Sequence, residues 1–134
     1  MTAKTVTFKN EGDVKKHAKK LLTKHNWLWW MTQTSAYGKS GVSDTHALRD
    51  GAFMAIECKF GSNKPTENQK AFLHSADAAG ALSFVVSDKN MAWFDIWLQA
   101  YDKAVEAESK KEKLADEDGA ALINALNALT EEWR

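Results

Sequence analysis

The sequence lacks the features that mark several common classes of protein. It has one cysteine, Cys58, and four scattered histidines, so neither an internal disulfide nor a regularly spaced zinc site is expected. No hydrophobic run reaches the length of a membrane span, and no signal peptide is evident. The chain also has no glycine-rich phosphate loop and no nucleophile elbow, which argues against a serine hydrolase. We therefore expect a protein of the reducing cytoplasm that does not enter membranes.

The chain has no net charge either, although its charges are unevenly distributed. Residues 1–39 hold eight lysines against two acids, whereas residues 99–134 hold nine acids against five basic residues. The basic end could follow a phosphate backbone, and a solvated lysine-rich helix face explains it equally well. The lysines expected to contact DNA are Lys15, Lys16 and Lys19 on the first helix and Lys39 in a later loop.

The 134 residues, 44% of them hydrophobic, suit one globular domain with one core. Apolar spacing predicts helices over about 11–25, 67–79, 91–108 and 120–133. Aromatic, β-branched and apolar runs predict strands over about 27–34, 52–59 and 82–87. A strand, a crossover helix and a following strand indicate a parallel pair. We predict an α/β fold with a small mixed sheet flanked by helices, a core over about 10–88 and C-terminal helices over about 90–134.

A hairpin at the Asp50-Gly51 pair organises the middle of the chain, because this dipeptide between strand-like residues is a strong turn signal. Along the second arm, Glu57 and Lys59 point to one face of the strand while the apolar residues beside them point to the other. Burying an acid and a lysine on such a strand costs free energy. A salt bridge or a functional site must offset that cost.

Asp44 begins the first arm of this hairpin and can therefore lie beside Glu57. Two carboxylates suit a hard cation such as Mg²⁺, and a nearby lysine can orient water or neutralise charge on a phosphate. Asp44, Glu57 and Lys59 resemble the (P)D…(D/E)xK signature of the restriction-endonuclease-like nucleases. The wider pattern, which adds Gly41, Gln69 and Gly80, is similar to the virus-type replication-repair nuclease domain of that superfamily. Ser43 stands where that family usually has proline.

This resemblance implies a Mg²⁺- or Mn²⁺-dependent deoxyribonuclease, in a stand-alone phage or bacterial domain. The metal ligands that it implies are Asp44, Glu57, the backbone carbonyl of Cys58 and, directly or through water, Glu11. Lys59 would position the attacking water, and Gln69 would support it. Structure-selective cutting of branched or flapped DNA is expected, and a homodimer could cut both strands of a junction.

Several of these residues also have ordinary structural explanations. Glu11 lies in the first turn of a helix, where an acid complements the helix dipole. Gln69 is spaced from Thr66 as in a capping box, and Lys59 could simply pair with Glu57. A non-catalytic nucleic-acid-binding or assembly module that retains the fold is therefore the alternative function.

Three further features are less specific. The tryptophans between residues 27 and 30 could stack on bases, although such residues are more often part of a core. His46 lies two residues after Asp44 and shares its strand face. The amphipathic segment 120–133 could pack on the core or make a dimer contact.

Overall fold

The computed structural model describes residues 6–32, 42–114 and 128. Within these residues it has three helices and four strands, in chain order α1 Glu11–Lys24, β1 Leu28–Met31, β2 Thr45–Arg49, β3 Ala52–Lys59, α2 Glu67–Ala78, β4 Leu82–Ser87 and α3 Met91–Leu114. The predicted α/β class is confirmed. The chain divides into two compact units, residues 1–98 and 99–134. Lys39 and the expected helix over 120–133 lie outside the described residues, except for Ala128.

The sheet is mixed, with strand order β1-β2-β3-β4. β1, β2 and β3 pair antiparallel, and β3 and β4 pair parallel across the connection made by α2, as the sequence predicted. Thr45 is paired with Ile56. This register places Asp44, the residue before β2, level with Glu57 near the end of β3.

The turn between β2 and β3 fixes that register. Arg49 pairs with Ala52, so the turn has two residues, and both have positive φ: 49° at Asp50 and 83° at Gly51. Two positive φ angles are characteristic of the type I′ turn, whose twist matches that of the flanking strands. The predicted hairpin is confirmed.

Helices pack on both faces of the sheet within the first unit. The apolar stripe predicted for α1 is buried, as are residues of β3 and of the start of α3; the fully buried members include Val14, Leu22, Met54, Ile56, Phe94 and Leu98. The rings of Phe84 and Phe94 are in edge contact, which ties β4 to α3. On the other face, the Ser83 hydroxyl donates to the Leu73 carbonyl of α2 at 3.0 Å. β3 therefore lies between helical layers, and its acid and lysine belong to the α2 face.

Two features differ from the sequence expectation. The first is the length of α3, which continues to Leu114, about one and a half turns beyond the expected end. An ion pair between Glu106 and Lys110 at 3.4 Å lies on the exposed surface of this helix. The second is the exposure of the tryptophans, which were expected to lie in the core: Trp27 is buried, but Trp30 on the edge strand is 38% exposed. No helix in the described part of the chain is long and apolar enough to cross a membrane.

Replacing the turn glycine tests the hairpin geometry. Gly51→Ala should lower the free energy of unfolding by about 1–2 kcal/mol, because a Cβ is disfavoured at positive φ even where space is open. Denaturant unfolding would measure the loss. A variant as stable as the original chain would contradict the left-handed turn.

Candidate active site

The candidate site forms where β2 begins and β3 ends, and its first carboxylate is held through the backbone. The Thr32 amide donates to the Asp44 carbonyl at 3.0 Å, and the Thr32 hydroxyl donates to the Ser43 carbonyl at 2.7 Å. Ser43, at the position where the resembled family has proline, is buried. These contacts fix the backbone around residue 44 and so hold Asp44 at the end of the sheet.

Glu57 supplies the second carboxylate, and it is 3% exposed. Its Oε1 accepts a hydrogen bond from Gln69 Nε2 at 2.8 Å and lies 3.6 Å from Lys59 Nζ. Its Oε2 is also buried but makes no hydrogen bond to any described residue, and we call this atom the open oxygen. A buried carboxylate oxygen without a partner is costly, so the site has one acceptor position to fill.

Electrostatics make the ionised form of Glu57 unfavourable. Burial raises the pKa of Glu57, and the negative charge of Asp44 raises it further. The positive charge of Lys59 and the nearby Asp44 backbone act in the opposite direction without reversing the shift. A cation placed between the two carboxylates would remove their repulsion.

Gln69 completes the predicted capping box and also contacts Glu57, so the two explanations offered by the sequence do not exclude each other. The side-chain Oε1 of Gln69 accepts a hydrogen bond from the Thr66 backbone N–H at 2.9 Å, and its backbone N–H donates to Thr66 Oγ1 at 3.2 Å. Together these two bonds complete the capping box of α2. The same side chain's Nε2 donates to Glu57. Because the cap engages the amide oxygen, the amide nitrogen faces the carboxylate, so the helix start orients the Glu57 side chain.

Lys15 is the site residue whose position the sequence reading did not anticipate. Its Nζ lies 3.0 Å from Asp44 Oδ2 and 3.4 Å from Glu11 Oε2, so one ammonium joins two of the acids expected to bind metal. Burial lowers the pKa of Lys15, but hydrogen bonding to Asp44 and the charges of Asp44 and Glu11 raise it overall. The four-residue spacing of Glu11 and Lys15 was the available signal, since such residues are neighbours on a helix.

The other predicted residues are less closely associated with the carboxylates. The Cys58 side chain is fully buried on the opposite face of β3, and burial strongly raises the pKa of its thiol, which leaves the backbone carbonyl as its possible contribution. Lys16 is exposed on α1, and Lys19 Nζ lies 5.4 Å from the centre of the Trp29 ring. The second unit contributes none of the predicted site residues.

His46 belongs to an aromatic cluster rather than to the carboxylate group. Its ring centre lies 5.2 Å from that of Phe53, 5.8 Å from that of Trp30 and 6.0 Å from that of Phe72. Burial lowers the pKa of His46, although the charge of Asp44 opposes this. A neutral ring is therefore the favoured form, which suits packing beside aromatic neighbours.

The donor chemistry fits a hard divalent cation. Among the described residues, no three side chains of His, Cys, Asp and Glu gather closely enough to form a metal cluster on their own. Asp44 and Glu57 offer carboxylate oxygens, and the open oxygen is buried without a described hydrogen-bond partner. Oxygen donors completed by water are typical of Mg²⁺ sites.

The raised pKa of Glu57 predicts how stability depends on pH without metal. Its protonated form is favoured in the folded chain, so the contribution is present below the ordinary pKa of 4.5 and is lost as pH rises through the raised value. Glu57→Gln should therefore melt at a higher temperature than the original chain in EDTA. The difference should grow as pH rises from 4.5 through the raised pKa of Glu57 and then level off. A difference that shrinks with rising pH would contradict the electrostatic description.

Comparison with known proteins does not add a family assignment. No protein-family model matches the chain, and no curated protein sequence matches it. The functional conclusion therefore rests on the geometry and chemistry of the site.

Proposed function

We propose that this chain is a metal-dependent nuclease that hydrolyses phosphodiester bonds in DNA, of the restriction-endonuclease-like type and similar to the virus-type replication-repair domain. One observation carries the proposal: Glu57, whose pKa is raised by burial and by the charge of Asp44, keeps its open oxygen buried and without a described partner, and Lys59 lies two residues further along the same strand face. A purely structural ion pair would leave no reason to bury an acceptor that no described residue satisfies.

The residues assigned to metal binding are Asp44, Glu57 and the backbone carbonyl of Cys58, with Glu11 joining directly or through water. When bound there, Mg²⁺ or Mn²⁺ would supply Lewis acidity toward the phosphate and lower the pKa of water. Gln69 holds Oε1 of Glu57, so the carboxylate keeps its open oxygen toward the cation site.

Lys59 acts on the phosphate and on the attacking water. Its ammonium lies 3.6 Å from Glu57 Oε1, which is longer than a strong charge-assisted hydrogen bond, so it is held nearby and can still engage a substrate oxygen. Water adds to phosphorus while the bond to the leaving oxygen breaks and negative charge builds on the phosphate oxygens. The proton that the attacking water loses passes to solvent, and the leaving oxygen takes up a proton from solvent. A fixed positive charge next to the phosphate oxygens is worth most in this transition state.

DNA would reach the site along the first helix. Glu11 and Lys15 belong to the site itself, and Lys16 and Lys19 continue along the same helix. Lys39, which lies outside the described residues, is proposed as a further phosphate contact. Cutting selected by branched or flapped DNA structure, as the resemblance implies, is the form of activity we propose.

One observation favours the alternative, a non-catalytic nucleic-acid-binding or assembly module. Lys15 already pairs with Glu11 and Asp44, and a protein that binds no metal would need such a partner to neutralise these acids. The Lys15 contacts leave the open oxygen of Glu57 unexplained, and for that reason we prefer the nuclease.

Cleavage assays test the proposed activity directly. Purified protein should cut linear, flap or four-way DNA with Mg²⁺ or Mn²⁺ and should stop cutting in EDTA. Asp44→Asn should lose at least about a hundredfold in rate because it removes a metal ligand, whereas Asp77→Asn, the same change at an exposed position on α2, should not. Equal rates for both variants, or cleavage unaffected by EDTA, would exclude this assignment.

Lys59 separates the catalytic from the structural explanation. Lys59→Ala should lower the single-turnover rate per folded molecule by roughly a hundred- to a thousand-fold, because its charge acts mainly in the transition state. The melting temperature should also fall, because Glu57 loses one of its partners, but this loss should not account for the loss of rate. Lys59→Arg should restore the rate incompletely, since a planar guanidinium does not reproduce a point charge.

Lys70→Ala is the matched control, because Lys70 is an exposed lysine of α2. Melting curves and cleavage rates should come from the same preparations. A large loss of stability in Lys59→Ala with an unchanged rate per folded molecule would assign Lys59 to structure alone.

A further inference from the structure

Lys15 occupies the place between two acids where a cation would be expected. Its ammonium is within 3.4 Å of a carboxylate oxygen from Glu11 and within 3.0 Å of one from Asp44. Asp44 is also the first metal ligand of the proposed function, so one carboxylate serves two positive partners. Neither partner can hold Asp44 Oδ2 without weakening the hold of the other.

We propose that the Lys15 ammonium competes with the metal ion for Asp44: it holds the Glu11–Asp44 pair until a divalent cation displaces it. This inference rests on the proposed function. Lys15 is then a positioning residue that sets metal affinity. The cation that it competes with is a hard, oxygen-preferring one such as Mg²⁺ or Mn²⁺.

The open oxygen of Glu57 supports this assignment independently of the acid pair. Lys15 satisfies Glu11 and Asp44, and Lys59 and Gln69 satisfy the other oxygen of Glu57, yet the open oxygen is left over. Glu57 is 3% exposed, so a bound ion or an ordered water must supply the missing partner. The lysines therefore neutralise the acids without completing the site, which is the state expected before a cation binds.

The surroundings of Lys15 allow the exchange. Its side chain is 27% exposed and sits on a flexible four-carbon stem, so the ammonium can move toward solvent when Asp44 is taken by a metal. A divalent ion would offer twice the charge and could bond to several oxygens at once, including the open oxygen, to which Lys15 makes no contact. The released ammonium would remain beside the site, where it could meet a DNA phosphate.

The exchange couples metal binding to DNA binding. If metal binding frees Lys15 for a phosphate, then DNA that engages Lys15 must favour metal binding by the same factor. Lys15 would thus weaken metal binding by the empty protein and strengthen it when DNA is present.

Calorimetric titration with Mn²⁺ tests the competition without relying on activity. Lys15→Met removes the charge and keeps most of the stem, and it should bind Mn²⁺ at least tenfold more tightly than the original chain. Lys24→Met is the matched control, because it removes an exposed lysine from the last turn of the same helix. Its Mn²⁺ affinity should equal that of the original chain.

Melting curves provide a second measurement on the same proteins. Without metal, Lys15→Met should melt lower than the original chain because Glu11 and Asp44 lose their shared partner. Mn²⁺ should raise its melting temperature by more than it raises that of the original chain. If Lys15→Met does not fold, Lys15→Gln keeps hydrogen-bond donors without the charge and should also bind Mn²⁺ more tightly.

The outcomes separate this inference from the proposed function. If the original chain binds Mn²⁺, Asp44→Asn does not, and both Lys15 variants bind no more tightly than the original chain, then Lys15 is not a competitor but the nuclease assignment survives. If neither the original chain nor a folded Lys15 variant binds Mn²⁺, both proposals are overturned. Tighter binding in the Lys15 variants alone supports the competition.

Discussion

The buried carboxylate of Glu57 is the group on which the arrangement of the site depends. It lies on a central strand, 3% exposed, with an acid on one side and a lysine on the other. A charge in that position is tolerated only with compensating partners. Gln69 and Lys59 compensate one oxygen, and the open oxygen defines what remains to be bound.

Elements distant in sequence are needed to provide those partners. The type I′ turn at Asp50-Gly51 sets the register that brings Asp44 level with Glu57. The capping box at the start of α2 turns the Gln69 amide toward the carboxylate, and the first turns of α1 bring a lysine to Asp44. The fold therefore couples a hairpin, a helix cap and a helix start to one pair of acids.

The sequence predicts the parts of this site that depend on local rules. An Asp-Gly pair predicts the turn, alternation places Glu57 and Lys59 on one face, and the Thr66–Gln69 spacing predicts the cap; the structure confirms all three. The roles of these residues in metal binding and catalysis remain proposals.

Contacts between distant elements were harder to foresee. The ion pair between Lys15 and Asp44 joins residues 29 positions apart, which no local pattern encodes. Foreseeing the hydrogen bond from Gln69 to Glu57 required knowing which end of the side-chain amide the cap engages. The exposure of Trp30 followed from the position of β1 at the sheet edge, whereas composition alone favoured a core residue. Strand order and the packing of helices on the sheet decide such features.

The central claim is that Asp44 and Glu57 together take a divalent cation, and anomalous diffraction from crystals soaked in Mn²⁺ tests it most directly. The account predicts an anomalous peak bonded to the open oxygen of Glu57 and to a carboxylate oxygen of Asp44, with the Lys15 ammonium moved away from Asp44. Crystals that show no peak between these two residues, with Lys15 still bound to Asp44 at saturating Mn²⁺, would contradict it.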